Sequence, residues 1–167
     1  MYRSFNIISK FEPKSFNDLV GQDKTIEQLR ILVAASIEKR TPLPNILLSG
    51  ASGYGKTAIA KVIAKERQTN LIITSGTALN ESSGLGNVFL NLNPADIVFI
   101  DEAHALKRKT TDALNCLIEN KTIVKNYSNK VLGVKMDLEM KVADFSLIVA
   151  TTAPGKLPIP FKNRFSV

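Results

Sequence analysis

One short stretch restricts the possible folds of this chain more than any other. It spans Leu47–Thr57, reads LLSGASGYGKT and fits the pattern G-x-x-x-x-G-K-[ST] of a phosphate-binding loop. An apolar run precedes the pattern and a helix-forming run, residues 57–65, follows it, so the loop joins a strand to a helix. A phosphate held there lies at a helix N-terminus, where backbone N–H groups attract anions. The stretch therefore predicts a nucleotide-binding site.

Each fixed position of this loop has a physical role. Gly50 and Gly55 allow tight turns and let backbone N–H groups approach phosphate oxygens. Lys56 supplies a positive charge for the β- and γ-phosphates, and Thr57 offers a hydroxyl to Mg²⁺. The other predicted contacts of the loop are Ala51, Ser52, Gly53, Tyr54 and Ala58.

The composition is that of an ordinary globular protein. Of 167 residues, 44% are hydrophobic and 22% are charged, which suits one domain with a real core. No apolar run approaches the roughly 20 residues of a membrane span, and the N-terminus lacks a signal pattern. We therefore expect a cytoplasmic chain with no membrane partner. The single cysteine, Cys116, excludes an internal disulfide and is expected to be a small buried residue.

The charge balance permits contact with nucleic acid without demonstrating it. The formal net charge is +7 at pH 7, and the densest basic run is Lys107–Lys109. A solvated helix start explains that run as well as a phosphate contact does.

Helical and extended patterns alternate along the chain. Apolar spacing predicts helices at residues 23–39, 57–65, 88–92 and 109–120. Short apolar runs predict buried strands at residues 45–49, 70–74, 95–102 and 145–150. Residues 75–86 are rich in Ser, Gly and Thr, so their start is predicted to be a loop. This order predicts a three-layer α/β fold with a mostly parallel sheet, in which ligands gather at the carboxyl ends of the strands.

A different period marks a β-hairpin. Apolar and polar residues alternate through 132–142, the pattern of a strand with one covered face. Residues 123–127 are its predicted antiparallel partner, with a turn at Ser128–Lys130. The insertion is therefore placed at 122–142, within one domain of residues 1–167.

Two carboxylates end the third predicted strand. Asp101 directly follows the apolar run, as a Walker-B acid does, and is placed to hold Mg²⁺ across from Thr57. Glu102 is then placed to orient a water molecule for attack on the γ-phosphate. A buried acid is costly without a cation, which favours this interpretation over a solvated acid pair.

Further polar side chains follow the last strand. Thr151 and Thr152 are candidates for contact with the γ-phosphate or the attacking water, although threonine also suits a strand end for local reasons. His104 follows the acids, and we expect it to be a surface or packing residue. Arg164, near the C-terminus, is either an ordinary surface arginine or a group that reaches the nucleotide of a neighbouring subunit.

Taken together, these residues resemble the AAA+ ATPases, and among them the RuvB-type motors of Holliday junction branch migration. The resemblance runs from Phe11 to Val167. The segments that carry it, besides the phosphate loop, are Glu12–Phe16, Val20–Gln22, Thr74–Leu79, Phe99–His104, Ala150–Thr152 and Asn163–Arg164–Phe165. The Thr74–Leu79 segment and the position of the hairpin point to RuvB rather than to the wider superfamily.

The resemblance implies a P-loop NTPase core that hydrolyses ATP with Mg²⁺ in DNA recombination and repair. It implies an adenine-side segment at residues 1–20 with Val20 at the base, and sensor threonines at Thr151 and Thr152. Arg164 would be the arginine finger of a homo-oligomeric ring. The hairpin, residues 123–142, would contact a RuvA-like partner, and the substrate would be junction DNA.

The same resemblance implies that a fifth strand, a helical lid and a winged-helix domain follow the finger segment. We expect these to be missing here, which would leave the strand at 45–49 as an open edge. Two alternatives to a motor core therefore stand. One is a truncated or split nucleotide-binding subunit without independent motor activity, and the other is a clamp-loader-type subunit.

Overall fold

Helices and strands alternate along the residues that the computed structural model describes, 12–129 and 134–166. The strands are β1 (Ile46–Ser49), β2 (Leu71–Ser75), β3 (Asp96–Asp101), β4 (Thr122–Asn129), β5 (Val134–Lys141) and β6 (Phe145–Thr151). The helices are α1 (Asp23–Glu38), α2 (Lys56–Glu66), α3 (Gly76–Leu79), α4 (Gly84–Phe89), α5 (Arg108–Asn120) and α6 (Ile159–Lys162). In these two ranges no helix combines the length and the apolar content that crossing a membrane requires.

Four strands form one parallel sheet in the order β1-β6-β3-β2. Parallel neighbours cannot be joined by tight turns, so the connections between them cross the faces of the sheet and carry the helices. Within the described residues β1 has a single strand neighbour, β6, and therefore lies at an edge. The predicted α/β fold with a mostly parallel sheet is confirmed.

The central strands are buried on both faces, which explains their nearly continuous apolar sequences. Side chains of β3 alternate between the two faces of the sheet. Ile97 and Phe99 pack with α1 and α2, whereas Val98 and Ile100 pack with α5 and the neighbouring short helices. One hydrophobic cluster therefore lies between the sheet and the helices on each face. The sheet and these two sets of helices are the three layers that the sequence predicts.

The strands β4 and β5 form a separate antiparallel hairpin, in which Ile123 lies opposite Met140. At its base Ile123 and Val142 are buried and belong to the cluster under α5. Leu138 and Met140 are 45% and 39% exposed, so part of the hairpin presents apolar side chains to solvent. The predicted turn, Ser128–Lys130, lies partly outside the described residues.

The start of residues 75–86 was predicted to be a loop, but α3 (Gly76–Leu79) occupies it, so this prediction is wrong. The Ser75 Oγ accepts the Ala78 N–H at 3.2 Å and caps α3. A Cβ at Gly84 would lie 2.4 Å from the Ala78 carbonyl oxygen, so this glycine allows close packing rather than a loop. The helix predicted at 88–92 begins at Gly84 and ends at Phe89.

The prediction that Cys116 is buried is also wrong. The side chain is exposed. The buried residues of α5 are Thr110, Thr111, Leu114 and Leu117, and Cys116 lies on a different face of that helix.

Candidate nucleotide site

The phosphate loop connects β1 to α2, as its sequence predicts. Gly53 and Gly55 have φ angles of +82° and +74°, in the left-handed region that favours glycine. A Cβ at either position would meet nothing within 4 Å, so the requirement for glycine is conformational rather than steric. Gly55 is the N-cap of α2 and no side chain caps that end, which leaves N–H groups directed out of the helix toward a ligand.

Lys56 folds back over the loop that precedes it. Its Nζ donates hydrogen bonds to the carbonyl oxygens of Gly50 at 2.9 Å and Ala51 at 2.8 Å. Phosphate oxygens are charged acceptors and form stronger hydrogen bonds with an ammonium group than neutral carbonyls do. Lys56 can therefore exchange these contacts for a phosphate. Thr57 is partly buried beside it in the first turn of α2.

A cavity of about 470 Å³ lies between the loop and the segment before α1. This volume falls within the range of about 300–1,000 Å³ that small-molecule sites occupy. Its lining is mainly apolar and consists of Leu19, Val20, Gly21, Gln22, Ile26, Gly53, Tyr54, Gly55 and Ile59. Val20 is fully exposed and Tyr54 is 61% exposed, so both offer apolar surface to a ligand. The structure thus brings Val20 together with the loop residues.

A hydrogen-bonded turn, Phe16–Asp18, directly precedes the lining residues Leu19–Gln22. The Asp18 carboxylate accepts the backbone N–H groups of Lys14 at 2.7 Å and Ser15 at 3.0 Å. These hydrogen bonds hold the pKa of Asp18 below its usual value, and the one from the Lys14 N–H has the largest effect. Residues 1–11 of the predicted adenine-side segment lie outside the described residues.

The acids and the threonines lie at the carboxyl ends of adjacent strands. Asp101 ends β3, and its Oδ1 accepts the Glu102 N–H at 2.9 Å. Thr151 ends β6, and its carbonyl oxygen accepts the Gly50 N–H at 3.2 Å. Because β6 lies between β1 and β3, this hydrogen bond ties the phosphate loop to the strand beside the acids.

The two threonines have different surroundings. Thr151 is fully buried, and its Oγ1 accepts the Ala153 N–H at 3.1 Å. Thr152 is exposed, so its hydroxyl is accessible to a ligand.

Comparison with known proteins places these features in one family. The family described as the Holliday junction DNA helicase RuvB P-loop domain matches residues 11–167. The chain belongs to this family. It is 38% identical over 155 residues to the Holliday junction branch migration complex subunit RuvB of Desulfosudis oleivorans. It is 36% identical over 158 residues to the RuvB subunit of Anaeromyxobacter sp. strain K.

Each of these two alignments covers 93% of the chain but 45% of the relative, so the chain spans about half the length of the RuvB subunits it matches. Solved RuvB structures are similar to this chain over about the same share of their length. A single-residue variant of Thermotoga maritima RuvB superposes with a TM-score of 0.81 at 31% identity, covering 93% of this chain and 48% of that one. The structure described as the Thermotoga maritima RuvB Holliday junction branch migration motor gives 0.79 at 30% identity, covering 93% and 47%. Membership of this P-loop family implies nucleotide binding.

Arg164 is not brought to the nucleotide site in this RuvB-family chain. Its Nη1 donates to the Pro160 carbonyl oxygen at 2.6 Å, and its Nη2 pairs with the Glu119 carboxylate of α5. No hydrogen bond among the described residues joins it to the phosphate loop or to the acids. The family resemblance implies that Arg164 acts on the nucleotide of a neighbouring subunit, and a single chain does not test that role.

One residue at this RuvB-family site was not predicted to take part in it. His104, expected to be a surface or packing residue, contacts both Glu102 and Thr151. Its position two residues after Glu102 was visible in the sequence. Its contact with Thr151, 47 residues further along the chain, depends on the pairing of β3 with β6 and had no sequence signal.

Proposed function

We propose that this chain is the ATP-binding and ATP-hydrolysing core of a RuvB-type motor, which drives branch migration of Holliday junctions in recombination and repair. The observation that carries the proposal is the Gly50–Thr151 hydrogen bond, which joins the phosphate loop to the strand beside the acids. The matched RuvB subunits support the junction as substrate. The family match favours a RuvB-type motor over the clamp-loader alternative.

The residues present fit Mg²⁺-ATP. Left-handed glycines and uncapped N–H groups suit the phosphates, Lys56 supplies charge, and the apolar cavity beside Val20 and Tyr54 suits a base. The hydroxyl of Thr57 and the carboxylate of Asp101 are the hard oxygen ligands that Mg²⁺ prefers. Within residues 12–129 and 134–166 no group of three or more His, Cys, Asp or Glu side chains is arranged to hold a metal ion. We expect Mg²⁺ to be held largely by phosphate oxygens and water, as it usually is in nucleotide sites.

The proposed chemistry assigns one task to each side chain. When bound, Mg²⁺ neutralises charge on the phosphate oxygens. Lys56 binds the phosphates, and Glu102 orients the attacking water. Thr152, with its exposed hydroxyl, contacts the phosphate or the water, whereas Arg164 acts on the nucleotide of the next subunit.

The proposed assembly is a homo-oligomeric ring in the cytoplasm. The hairpin at 123–142 contacts a RuvA-like partner. The exposed side chains of Leu138 and Met140 support this assignment, because apolar surface of this kind favours contact with another protein.

Nucleotide binding is tested by titration calorimetry with Mg²⁺-ATP. Lys56→Ala is expected to weaken binding by roughly tenfold to a hundredfold, because it removes a hydrogen-bonding charge from the phosphates. Lys65→Ala, at an exposed position in the last turn of the same helix, is the matched control and should bind like wild type. Equal affinities of wild type and Lys56→Ala would contradict the proposal.

A further inference from the structure

His104 joins the ends of two neighbouring strands. It lies in the 3-10 turn Ala103–Ala105, directly after the acids at the end of β3. Its Nε2 is 3.1 Å from Oε2 of Glu102, and its Nδ1 is 3.2 Å from Oγ1 of Thr151. One imidazole ring therefore contacts both the acid that orients water and the threonine that ends β6.

The surroundings of Thr151 determine which ring nitrogen of His104 carries the proton. The Thr151 Oγ1 already accepts one hydrogen bond, from the Ala153 N–H, and the side chain is fully buried. A buried hydroxyl proton needs an acceptor, and among the described residues Nδ1 of His104 is the acceptor within reach. The neutral ring then carries its proton on Nε2 and donates it to the Glu102 carboxylate.

The backbone of Glu102 is fixed, but its side chain is not. Its φ of +50° is left-handed, an uncommon conformation for a residue other than glycine. Its N–H donates to Asp101 and its carbonyl oxygen accepts the Ala105 N–H at 2.9 Å, which holds the peptide groups in place. The carboxylate remains 47% exposed, and His104 is its one polar partner among the described residues. His104 therefore determines where the carboxylate points.

Thr151 also contacts the phosphate loop, through the Gly50 N–H. A displacement of the loop by phosphate would reach Thr151, then the imidazole ring, and then Glu102. We infer that His104 is a positioning residue, which sets the direction of the Glu102 carboxylate according to the state of the phosphate loop. This inference rests on the proposed function.

The tautomer is tested by nuclear magnetic resonance, independently of turnover. The chain contains one histidine, so long-range ¹H–¹⁵N spectra of its rings show His104 alone. In the neutral ring Nε2 should be protonated and Nδ1 should accept a hydrogen bond. Thr151→Val should shift the Nδ1 resonance. Thr69→Val should leave it unchanged, because the buried Thr69 hydroxyl forms no hydrogen bond to His104 or to any other described residue. A proton on Nδ1, or no response to Thr151→Val, would overturn the inference.

The same spectra test the coupling to the phosphate loop. A non-hydrolysable ATP analogue with Mg²⁺ should shift the His104 ring resonances in wild type, and Thr151→Val should reduce that shift. His104 ring resonances that do not shift when the analogue binds would contradict the coupling.

Steady-state kinetics test the positioning role. His104→Ala should lower kcat for ATP hydrolysis by roughly tenfold to a hundredfold, the effect of losing a hydrogen bond to a charged group. KM for ATP should change little, because His104 does not touch the phosphate loop directly. His104→Gln should recover part of the loss, since its amide can still donate to Glu102. A higher KM with kcat unchanged would contradict this role.

The failures of the two proposals are distinguishable. If wild type binds ATP but hydrolyses it no faster than Glu102→Gln does, the proposed ATPase activity is contradicted. An active wild type with an equally active His104→Ala would remove only the role of His104. The unfolding temperature of each variant shows whether a loss of rate reflects a loss of fold, and His104→Gln replaces His104→Ala if the latter unfolds.

Discussion

The two halves of the candidate site are built in different ways. The phosphate-binding half, Gly50–Thr57, is continuous in the sequence, and its shape follows from glycine conformations and the start of a helix. The hydrolytic half combines Asp101–His104 with Thr151 and Thr152, which β3 and β6 bring together across the sheet. The first half is therefore local, and the second depends on tertiary packing.

This difference predicts two kinds of failure. Changes in the continuous half should weaken nucleotide binding, because they alter the N–H groups and the charge that face the phosphates. Changes in the assembled half should lower turnover with binding retained, because they alter groups that act on the attacking water. A variant of the phosphate loop that lowers turnover alone, or a variant of the acids that weakens binding alone, would show that the two halves are not separable.

The largest effect is expected from Glu102→Gln. Removing a base that positions the attacking water should lower the rate of ATP hydrolysis by about 10²- to 10⁴-fold. ATP affinity should stay close to that of wild type, because the side chain keeps its size and lies outside the phosphate loop.

The control for Glu102→Gln is Glu81→Gln, an exposed acid between α3 and α4, which should leave the rate unchanged. Turnover by Glu102→Gln at the wild-type rate would contradict the role of Glu102 in hydrolysis.

Gly55→Ala tests the local half. The left-handed φ of +74° should cost an alanine about 1–2 kcal/mol. Relief of that strain would redirect the N–H groups at the start of α2, so ATP should bind roughly tenfold or more weakly. Gly155→Ala is the control, because a Cβ there meets nothing and its φ is not left-handed. Calorimetry that shows equal affinities in the two variants would contradict the conformational account of the loop.

Gly76→Ala tests the assembled half by a different mechanism. A Cβ at Gly76 would lie 2.7 Å from the Glu102 carbonyl oxygen and 3.1 Å from the Leu106 nitrogen, so the turn that carries His104 must move. Overpacking of this kind costs about 1–3 kcal/mol of the free energy of unfolding. Turnover should fall, with ATP affinity retained.

Gly86→Ala is the matched control for Gly76→Ala. A Cβ at Gly86 would lie 3.8 Å from Leu90 Cδ1, an ordinary contact, and alanine is favoured inside α4 by up to about 1 kcal/mol. Denaturant unfolding that gives equal stabilities for the two variants would show that the turn tolerates displacement.

The same contrast explains what could be predicted from the sequence. The phosphate loop, the apolar strands and the acids after β3 each have a local signal, and the resulting parallel α/β fold is confirmed. The contact of His104 with Thr151 and the pairing of Arg164 with Glu119 have no such signal, because each joins segments that only the folded chain brings together. At 75–86 composition was misleading, since Gly76 and Gly84 serve close packing rather than loop conformations.

The smallest effect is expected at Asp18, in the turn that precedes the lining residues Leu19–Gln22 of the base cavity. Its folded-state pKa is lowered, so the carboxylate stabilises the turn above the unfolded-state pKa of about 4. That stability is lost as the pH falls through the lowered pKa. The difference in unfolding temperature between wild type and Asp18→Asn should therefore be small at neutral pH and vanish once the pH falls below the lowered pKa of Asp18. Like the phosphate loop, this turn is formed by local hydrogen bonds, and it leads into residues that line the base cavity. ATP affinity should therefore fall slightly in Asp18→Asn, and kcat should not. A lower kcat with unchanged affinity would show that this turn affects the acids at the end of β3. The binding and hydrolytic halves of the site would then not be independent.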